Sequence, residues 1–482
     1  MSKHRPSTPS ARASSVGPPP SRRLTPRRTQ QDNVRIAAAW VLDRVLASHA
    51  PIDNFLGSAL ARFDERDQGL LTELALGSLR WLRLLDHVVA RAANRQMEEI
   101  EPTLRSPLRI AAYQLLFLDR VPAHAAVHEA VEQVHNLAHR GAAGFVNAVL
   151  RRIARAPRLE EWPVEEADPV RRLGIELSHP DFLVRRWLAR FGETDTRALL
   201  SANNRQRPLQ LLAFRDRGGR ELLAEQLIDE GLEVEPTPLS ALGLTVRGGQ
   251  PLATEAFRRG DFYVQDEASQ ASALIPPPRP GERILDAAAA PGGKSFSLLA
   301  WEPSVRLTLA DISPLRYATL AANLRRLDRN LAGLIADAGA PPFAAGSFDR
   351  VVLDLPCTGT GTLRKNPELK WRISESEIGR LADQALRLLE GSAPLVAPGG
   401  LLIAITCSLE EEENEHVIAR FLAERPEFAP LDLAPRLPPQ IARAIQAPGF
   451  WRLATADEHD GFSVHVLEKT QQDAGFRAAD AP

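Results

Sequence analysis

The chain has 482 residues, of which 44% are hydrophobic and 25% are charged, and its formal net charge is −2. This length and composition predict a soluble protein of two to four domains. Two cysteines exclude a disulfide framework and a four-thiolate zinc site, and no apolar run of about 18 residues predicts a membrane helix. The start of the chain lacks the apolar core of a signal peptide, so we expect a reducing, cytoplasmic setting.

The amino-terminal 31 residues form the first distinct segment. Residues 1–31 contain seven Lys or Arg residues and no acidic residue, and they are rich in Pro and Ser. This composition predicts a disordered basic arm. A solvated tail without a specific role and an organellar transit peptide are the alternatives. At the other end, residues 471–482 are predicted to be a disordered tail.

An all-helical domain is predicted over residues 32–156. Apolar residues recur at helical spacing along this segment, and no strand-like alternation interrupts them. Its last helix ends in Arg151 and Arg152. These cations form either an ordinary solvated helix face or an RNA-binding patch.

The rest of the chain predicts two further parts. After a linker rich in Pro, Glu and Arg, residues 175–262 alternate short helices with short apolar segments, which predicts a small α+β subdomain. Residues 263–470 follow a βαβ rhythm, which predicts a multidomain protein ending in an α/β Rossmann-like domain with an open, mostly parallel sheet. Its strands are predicted at 283–286, 306–311, 334–337, 349–354, 401–406 and 463–467. Ligands of such a sheet bind at the carboxyl ends of the strands.

Four of these predicted strands end in aspartate, namely Asp286, Asp311, Asp337 and Asp354. One such aspartate is ordinary, because a carboxylate there commonly caps the following helix. Four along the same edge indicate an acidic rim. This rim suits the hydroxyl and amino groups of a nucleoside cofactor.

The turn after Asp286 reads Ala-Ala-Ala-Ala-Pro-Gly-Gly-Lys-Ser over residues 287–295. Its two glycines let the backbone approach a ligand closely and point N–H groups at it. Ala288 stands where a P-loop requires glycine, and the Gly-x-Gly-x-x-Gly pattern of dinucleotide folds is absent. A nucleoside without phosphates remains, with Asp311 placed to hold a ribose diol. The sequence therefore predicts S-adenosylmethionine as the cofactor of a class I methyltransferase domain.

The two cysteines, Cys357 and Cys407, each follow a predicted strand. A thiolate that adds to carbon 6 of a pyrimidine makes carbon 5 reactive enough to accept an electrophilic methyl group. A buried carboxyl group such as Asp354 can hydrogen-bond the ring nitrogen as charge develops there. The second thiol is then a plausible helper when the enzyme sulfur leaves. Spacing alone leaves open which thiol is the nucleophile.

A helix is predicted just after Cys407. Ser408 and Glu411 have the spacing of a capping box, and a helix N-terminus favours a thiolate. The acidic run at residues 410–413 opposes this effect, and we interpret the run as a solvated helix start.

At these positions the sequence resembles RNA cytosine-C5 methyltransferases. The resemblance covers essentially the whole of residues 260–470, and the matching segments are 286–295, 311–314, 354–361, 363–372, 406–408, 413–414 and 460–462. The helical part is similar to a NusB-like RNA-binding domain, particularly at 121–127 and 145–152. This two-part arrangement resembles the bacterial RsmB (Sun/Fmu) type, which methylates a cytosine of 16S ribosomal RNA.

The resemblance implies roles for individual residues. Cys407, in the Thr-Cys motif, is implied to be the nucleophile, Cys357 to serve product release, and Asp354 to contact N3 of the target base. The implied cofactor-binding residues are Ala288, Ala289, Ala290, Pro291, Gly292, Gly293, Lys294, Asp311, Asp337 and Asp354. The candidate RNA-binding residues are Lys365, Lys370 and Arg372, in the loop after the Pro-Cys turn, with Arg151 and Arg152.

The expected function is therefore methylation of carbon 5 of a cytosine in 16S ribosomal RNA, free or in an assembling small subunit. The alternatives are the same chemistry on transfer RNA or another ribosomal RNA, and a noncatalytic RNA-binding assembly factor. We expect a monomer without membrane association. No metal is expected, since His124 and His128 have no acidic or thiol partner nearby to complete a site.

Overall fold

The computed structural model describes residues 33–48, 50–137, 140–206, 208–456 and 458–470, with residues 136, 137 and 140 described by their backbone alone. The predicted basic arm and the predicted tail at residues 471–482 lie outside the described residues. Among the described helices, none is long and apolar enough to cross a membrane. The predicted succession of an all-helical part, a small α+β part and a Rossmann-like part is confirmed.

The first part is a bundle of helices around one apolar core. Side chains such as Leu42, Leu74 and Val146 are fully buried and contact one another across the bundle. The second long helix starts where Asp64 accepts a hydrogen bond from the Asp67 N–H at 3.0 Å. The helices are α1 Val34–Ser48, α2 Asp53–Leu60, α3 Glu65–Arg80, α4 Leu82–Ala93, α5 Pro102–Phe117, α6 Ala123–Leu137 and α7 Arg140–Arg155.

The middle part combines a four-stranded antiparallel sheet with helices. The strand order is β2-β3-β1-β4, and β1 pairs with both β3 and β4. The strands are β1 Gln210–Ala213, β2 Glu233–Pro236, β3 Gly243–Gly248 and β4 Phe262–Val264. The helices are α8 Pro169–Glu176, α9 Asp181–Asn203, α10 Gly219–Asp229 and α11 Glu255–Arg259.

The last part is a nine-stranded sheet with helices on both faces. Its order is β11-β12-β13-β9-β8-β5-β6-β7, with β10 paired to β13. The strands are β5 Arg283–Asp286, β6 Arg306–Asp311, β7 Ala332–Ile335, β8 Phe348–Asp354, β9 Val396–Thr406, β10 Phe428–Pro430, β11 Ile445–Ala447, β12 Phe450–Leu453 and β13 Phe462–Lys469. The helices are α12 Glu267–Ala273, α13 Gly293–Trp301, α14 Pro314–Arg326, α15 Glu375–Ser392, α16 Glu415–Glu424 and α17 Pro439–Ala442.

Strands β9, β8, β5, β6 and β7 run parallel, whereas β13 lies antiparallel to β9. The central strands are buried on both faces, since Val351 and Leu353 join one apolar cluster and Val352 joins the other. The chain order reverses direction between β5 and β8, which is where ligands of open α/β sheets bind. The carboxyl ends of these strands therefore position the candidate site.

Candidate active site

The turn between β5 and α13 is held by its neighbours at the carboxyl edge of the sheet. The N–H of Ala287 donates to the Val352 carbonyl at 2.9 Å, and that of Ala289 donates to the Ala310 carbonyl at 2.8 Å. Gly292 has φ +118°, and a Cβ there would lie 2.2 Å from the Phe296 ring. Glycine is therefore required at this position, both for its backbone conformation and for the close approach of the helix.

Two of the four strand-end aspartates are buried and support this turn. Asp286 accepts a hydrogen bond from Ser295 Oγ at 2.5 Å, and burial raises its pKa to about 6. Asp311 accepts from the N–H of Ala290 at 3.1 Å and from that of Ser313 at 2.9 Å. Both carboxylates stabilise the backbone that a nucleoside would contact.

The other two aspartates are more open. Asp337 lies two residues beyond β7, because this strand ends at Ile335 and not at residue 337 as expected. Its ion pair with Arg387, at 3.0 Å, holds the pKa of Asp337 below its usual range. Asp354 ends β8 with its side chain 41% exposed, 3.5 Å from Lys294 Nζ. The expectation of a buried Asp354 is wrong, because the cleft leaves this carboxylate open to solvent.

The two cysteines meet at the ends of adjacent parallel strands. Cys407 directly follows β9, Cys357 lies three residues beyond β8, and their Sγ atoms are 3.5 Å apart. Both are free and half-buried. The hydrogen bond with Cys407, followed by desolvation and the nearby carboxylates, raises the pKa of Cys357 well above its usual value. Cys357 therefore keeps its proton at neutral pH.

A glycine allows the loop after Cys357 to lie against Cys407. The Gly361 N–H donates to the Cys407 carbonyl at 2.8 Å, and the Gly361 carbonyl accepts from the Gly461 N–H at 2.7 Å. A Cβ on Gly361 would lie 2.4 Å from the Gly461 oxygen. This close packing joins the loops that carry the two thiols to the segment that leads into β13.

The helix predicted directly after Cys407 is wrong, because α16 starts only at Glu415. Asn414 instead folds residues 408–414 into a compact turn. Its Oδ1 accepts from Thr406 Oγ1 at 2.6 Å, and its Nδ2 donates to the carbonyls of Ser408 and Glu410 at 3.2 and 2.7 Å. No helix N-terminus therefore acts on Cys407 at this point.

The acidic run at residues 410–413 is not a solvated surface as expected. Glu410 is buried and accepts from Arg186 Nε at 2.9 Å and from Trp187 Nε1 at 3.0 Å, both on α9. Glu413 is also buried, and it accepts from the N–H and Oγ1 of Thr358 at 2.8 and 2.7 Å. These long-range partners draw the carboxylates inward, and sequence spacing gives no sign of them.

The predicted phosphate contact of Lys370 is wrong. This side chain is fully buried, and its Nζ donates to the Arg80 carbonyl, the Ser178 carbonyl and Asn204 Oδ1 at 3.1, 3.2 and 2.5 Å. Lys365 is exposed and Arg372 is half-buried in the same loop. Lys370 therefore joins the parts of the chain to one another, and Lys365 is the cation of this loop that faces solvent.

The other predicted RNA-binding residues, Arg151 and Arg152, lie exposed on α7, apart from the loop after the Pro-Cys turn. Within the described ranges, His, Cys, Asp and Glu side chains form no group of three or more that could hold a metal ion.

Sequence reasoning missed two residues that support the cofactor turn. Gln265 Nε2 donates to the Gly293 carbonyl at 3.0 Å, and Lys294 Nζ donates to Ser269 Oγ at 2.9 Å. Both partners come from the segment around α12, which precedes β5 in the chain. No local pattern in the sequence places this segment beside the turn, so only the tertiary fold reveals them.

Three segments of the chain match described families. Residues 273–468 match "16S rRNA methyltransferase RsmB/F", residues 32–155 match the "NusB family", and residues 179–253 match the "RsmF/B-like, ferredoxin-like domain". The Pseudomonas putida "Ribosomal RNA small subunit methyltransferase B" is 34% identical over 92% of this chain and 100% of its own length. The Bacillus subtilis "Probable ribosomal RNA small subunit methyltransferase B" is 32% identical over 91% of this chain and 99% of its own.

Solved structures agree with this assignment. The crystal structure of PH0851 superposes with a TM-score of 0.74 at 26% identity, over 91% of this chain and 99% of its own. A methyltransferase homologue from Pyrococcus horikoshii, 24% identical with a TM-score of 0.51 over 63% of this chain and 99% of its own, shares the fold. With the methyltransferase, ferredoxin-like and NusB matches in one chain, and relatives above 30% identity along nearly all of it, this protein belongs to the RsmB/F family of 16S rRNA methyltransferases.

Proposed function

We propose that this protein methylates carbon 5 of a cytosine in 16S ribosomal RNA, with S-adenosylmethionine as cofactor and through a covalent bond from Cys407 to carbon 6. The observation that carries the proposal is the pair of thiols 3.5 Å apart beside the turn at the carboxyl edge of the sheet. The names of the relatives as small-subunit ribosomal RNA methyltransferases support the choice of RNA.

The residues around the turn fit a nucleoside cofactor. Residues 288–294 offer a close backbone approach at Gly292, Asp311 ends the neighbouring strand β6, and Asp337 lies two residues beyond β7. Ile312, directly after Asp311, is 60% exposed and gives an apolar surface for a purine ring. When bound here, S-adenosylmethionine supplies an electrophilic methyl group on its sulfonium.

The chemistry of the target base uses the two open groups of the cleft. Cys407 gives its thiol proton to solvent and its sulfur forms a bond to carbon 6, so the electrons of the carbon 5–carbon 6 double bond become available at carbon 5 for methylation. The Asp354 carboxyl group, on the same edge, donates a hydrogen bond to N3 while negative charge develops on the ring. Lys294 Nζ, 3.5 Å from this carboxyl group, orients it.

Cys357 serves the release of the product. After methylation, a base must remove the proton from carbon 5 so that the electrons re-form the double bond and expel the Cys407 sulfur. The interaction with Cys407 is the largest cause of the raised pKa of Cys357. Once the Cys407 sulfur is bonded to carbon, its hydrogen bond with Cys357 is weakened, so Cys357 gives up its proton more easily and can act as this base.

Cations outside the cleft, of which Arg372 is half-buried and the others are exposed, fit the phosphates of the substrate. Arg151 and Arg152 on α7, and Lys365 and Arg372 after the Pro-Cys turn, provide contacts from two different parts of the chain. Such contacts position structured RNA without reading its sequence.

The test is methyl transfer from labelled S-adenosylmethionine to purified 16S ribosomal RNA, large-subunit ribosomal RNA and transfer RNA. The proposal predicts label in the 16S RNA alone, recovered as 5-methylcytosine after digestion. Labelled transfer RNA or large-subunit RNA would establish the same chemistry on another target. If neither the purified RNAs nor the RNA of assembling small subunits becomes labelled, the result would favour a noncatalytic assembly factor.

A further inference from the structure

A pocket of about 420 Å³ lies where the three parts of the chain meet. Its walls come from α3 of the helical part, from β1 and β4 of the middle sheet and the residues before β1, and from the loop after Cys357. The volume is within the usual range for pockets that bind small organic groups.

The pocket adjoins both halves of the active site. On one side, Gln265 lines it and also donates to the Gly293 carbonyl of the cofactor turn. On the other side, Arg364 and Lys365 line it, only three and four residues after Gly361, whose N–H binds the Cys407 carbonyl. Only a few residues of chain separate this pocket from the backbone that contacts Cys407. A group bound here therefore lies close to the cytosine that Cys407 attacks.

The lining combines apolar walls, the cations Arg80, Arg364 and Lys365, and the carboxylates of Glu73, Asp266 and Asp460. Each of these carboxylates already has a partner within the protein, since Glu73 accepts from Tyr113 and Gln206, Asp266 accepts from the Ala268 N–H, and Asp460 pairs with Arg364. Leu76, Leu209 and Val264 contribute apolar surface, and Leu209 is 46% exposed although it is a large apolar residue. Arg80 is 95% buried, and among the described residues no acceptor lies within hydrogen-bonding distance of its Nε. Lys365 is exposed at the same pocket. A flat apolar ring with an attached anion matches this combination.

We propose that this pocket binds an unpaired nucleotide of the substrate RNA next to the target cytosine. Its base packs between Leu76, Leu209 and Val264, Arg80 Nε donates to an oxygen of the nucleotide, and Lys365 binds its phosphate. A target cytosine has to leave its stack to reach the thiols, so its neighbours are exposed for such contacts. This proposal rests on the proposed function and adds a subsite for sequence recognition.

The experiment compares two substitutions of exposed apolar residues in the full-length protein. Leu209→Asp places a carboxylate at the pocket, whereas Ile228→Asp makes the same change on α10, where Ile228 is 56% exposed and does not line the pocket. The affinity of each variant for 16S ribosomal RNA is measured directly, and the affinity for S-adenosylmethionine shows that each variant is folded. Lys365→Ala serves as the second variant.

We expect Leu209→Asp to weaken RNA binding about tenfold, the usual scale for one apolar contact in a pocket, and Ile228→Asp to leave it unchanged. Once the methylated cytosine is mapped, a short RNA fragment around it can carry an abasic site in place of the recognised neighbouring nucleotide. This abasic site should weaken the RNA affinity of the parent protein by the same factor as Leu209→Asp does. The same abasic site should cause little further loss with Leu209→Asp. Equal RNA affinity of the Leu209→Asp and Ile228→Asp variants would overturn the subsite. The subsite would also be overturned if the losses from Leu209→Asp and from the abasic site multiplied at every neighbouring position. Because binding is the readout, that result differs from a failure of the parent protein to methylate RNA, which would refute the proposed function.

Discussion

Glu413 lies in an environment that its sequence context does not indicate. It follows three other glutamates, yet it is buried and holds the backbone and hydroxyl of Thr358, directly after Cys357. Burial raises its pKa to about 7 from the ordinary 4.5. Glu413 therefore positions the turn that carries Cys357, while its burial favours the protonated form of the carboxyl group.

The raised pKa of Glu413 predicts a pH dependence of stability. The folded protein holds this proton more tightly than the unfolded chain, so the contribution is complete below pH 4.5 and is lost as the pH rises towards and through 7. Glu413→Gln keeps an acceptor for Thr358 but has no charge to bury. We expect the variant to gain stability relative to the parent over this window, by up to roughly 3 kcal/mol.

The measurement is the melting temperature of parent and variant between pH 4.5 and pH 8. The control is Glu424→Gln, an exposed glutamate on α16, whose difference from the parent should stay constant. A constant difference for Glu413→Gln as well would contradict the assigned burial of the charge.

At the scale of elements, the strands of the catalytic sheet were largely predictable. Apolar runs that end in aspartate locate β5, β6 and β8 within a residue, because strands buried on both faces leave a strong continuous pattern. The short strands β10 to β12 and the turn after Cys407 were not predictable. Side-chain contacts of Asn414, Arg186 and Thr358 determine the conformation of that turn. Arg186 and Thr358 come from distant chain segments, whereas Asn414 lies within the turn itself.

The contact between α9 and this turn can be tested with a matched pair of arginines. Arg186→Met removes the ionic partner of the buried Glu410. Arg197 lies on the same helix as Arg186 and forms an exposed ion pair with Glu176, which Arg197→Met removes. We expect the first to cost roughly 2–4 kcal/mol of stability and the second less than about 1 kcal/mol. Urea denaturation measures both, and equal losses would show that the contact with Glu410 contributes no more than a surface pair.

The loop after the Pro-Cys turn contains one buried lysine, Lys370, and one exposed lysine, Lys365. Lys370→Met leaves three buried acceptors without a donor, so we expect a loss of roughly 2 kcal/mol or more in stability. RNA binding by the Lys370→Met variant should depend on salt concentration in the same way as RNA binding by the parent protein. Lys365→Ala should keep stability and reduce the slope of log affinity against log salt by about one. A smaller slope for Lys370→Met would restore its predicted contact with phosphate.

At the scale of the whole molecule, the helical part is joined directly to the catalytic loop. Arg80 Nη2 donates to the Arg364 carbonyl at 3.1 Å, and Trp371 Nε1 donates to the Leu79 carbonyl at 2.7 Å. The Trp371 ring packs against the core of the helical bundle. The helical part therefore supports the active-site loop, in addition to the RNA contacts proposed for it. Family resemblance indicated both parts, whereas their contact depends on long-range packing that no local pattern encodes.

The RNA-binding role that we propose for the helical part predicts an effect of charge reversal on α7. Replacing Arg151 and Arg152 with glutamate should weaken binding of 16S ribosomal RNA at least tenfold and lower its salt slope, because two phosphate contacts become repulsive. Binding of S-adenosylmethionine should stay unchanged. The control is the same reversal at Arg380 and Arg420, whose side chains are more than half exposed on α15 and α16. Equal losses in the two double variants would indicate nonspecific attraction alone.

The most direct measurement is the search for a covalent protein–RNA complex after incubation with S-adenosylmethionine and 16S ribosomal RNA. The two sulfurs lie 3.5 Å apart, so their substitutions are matched controls for each other. We expect Cys357→Ala to accumulate a complex that survives denaturation, because the Cys407 sulfur cannot be released, and Cys407→Ala to form neither complex nor methylated RNA. A complex with Cys407→Ala and none with Cys357→Ala, or full methylation by a variant lacking both thiols, would contradict this account.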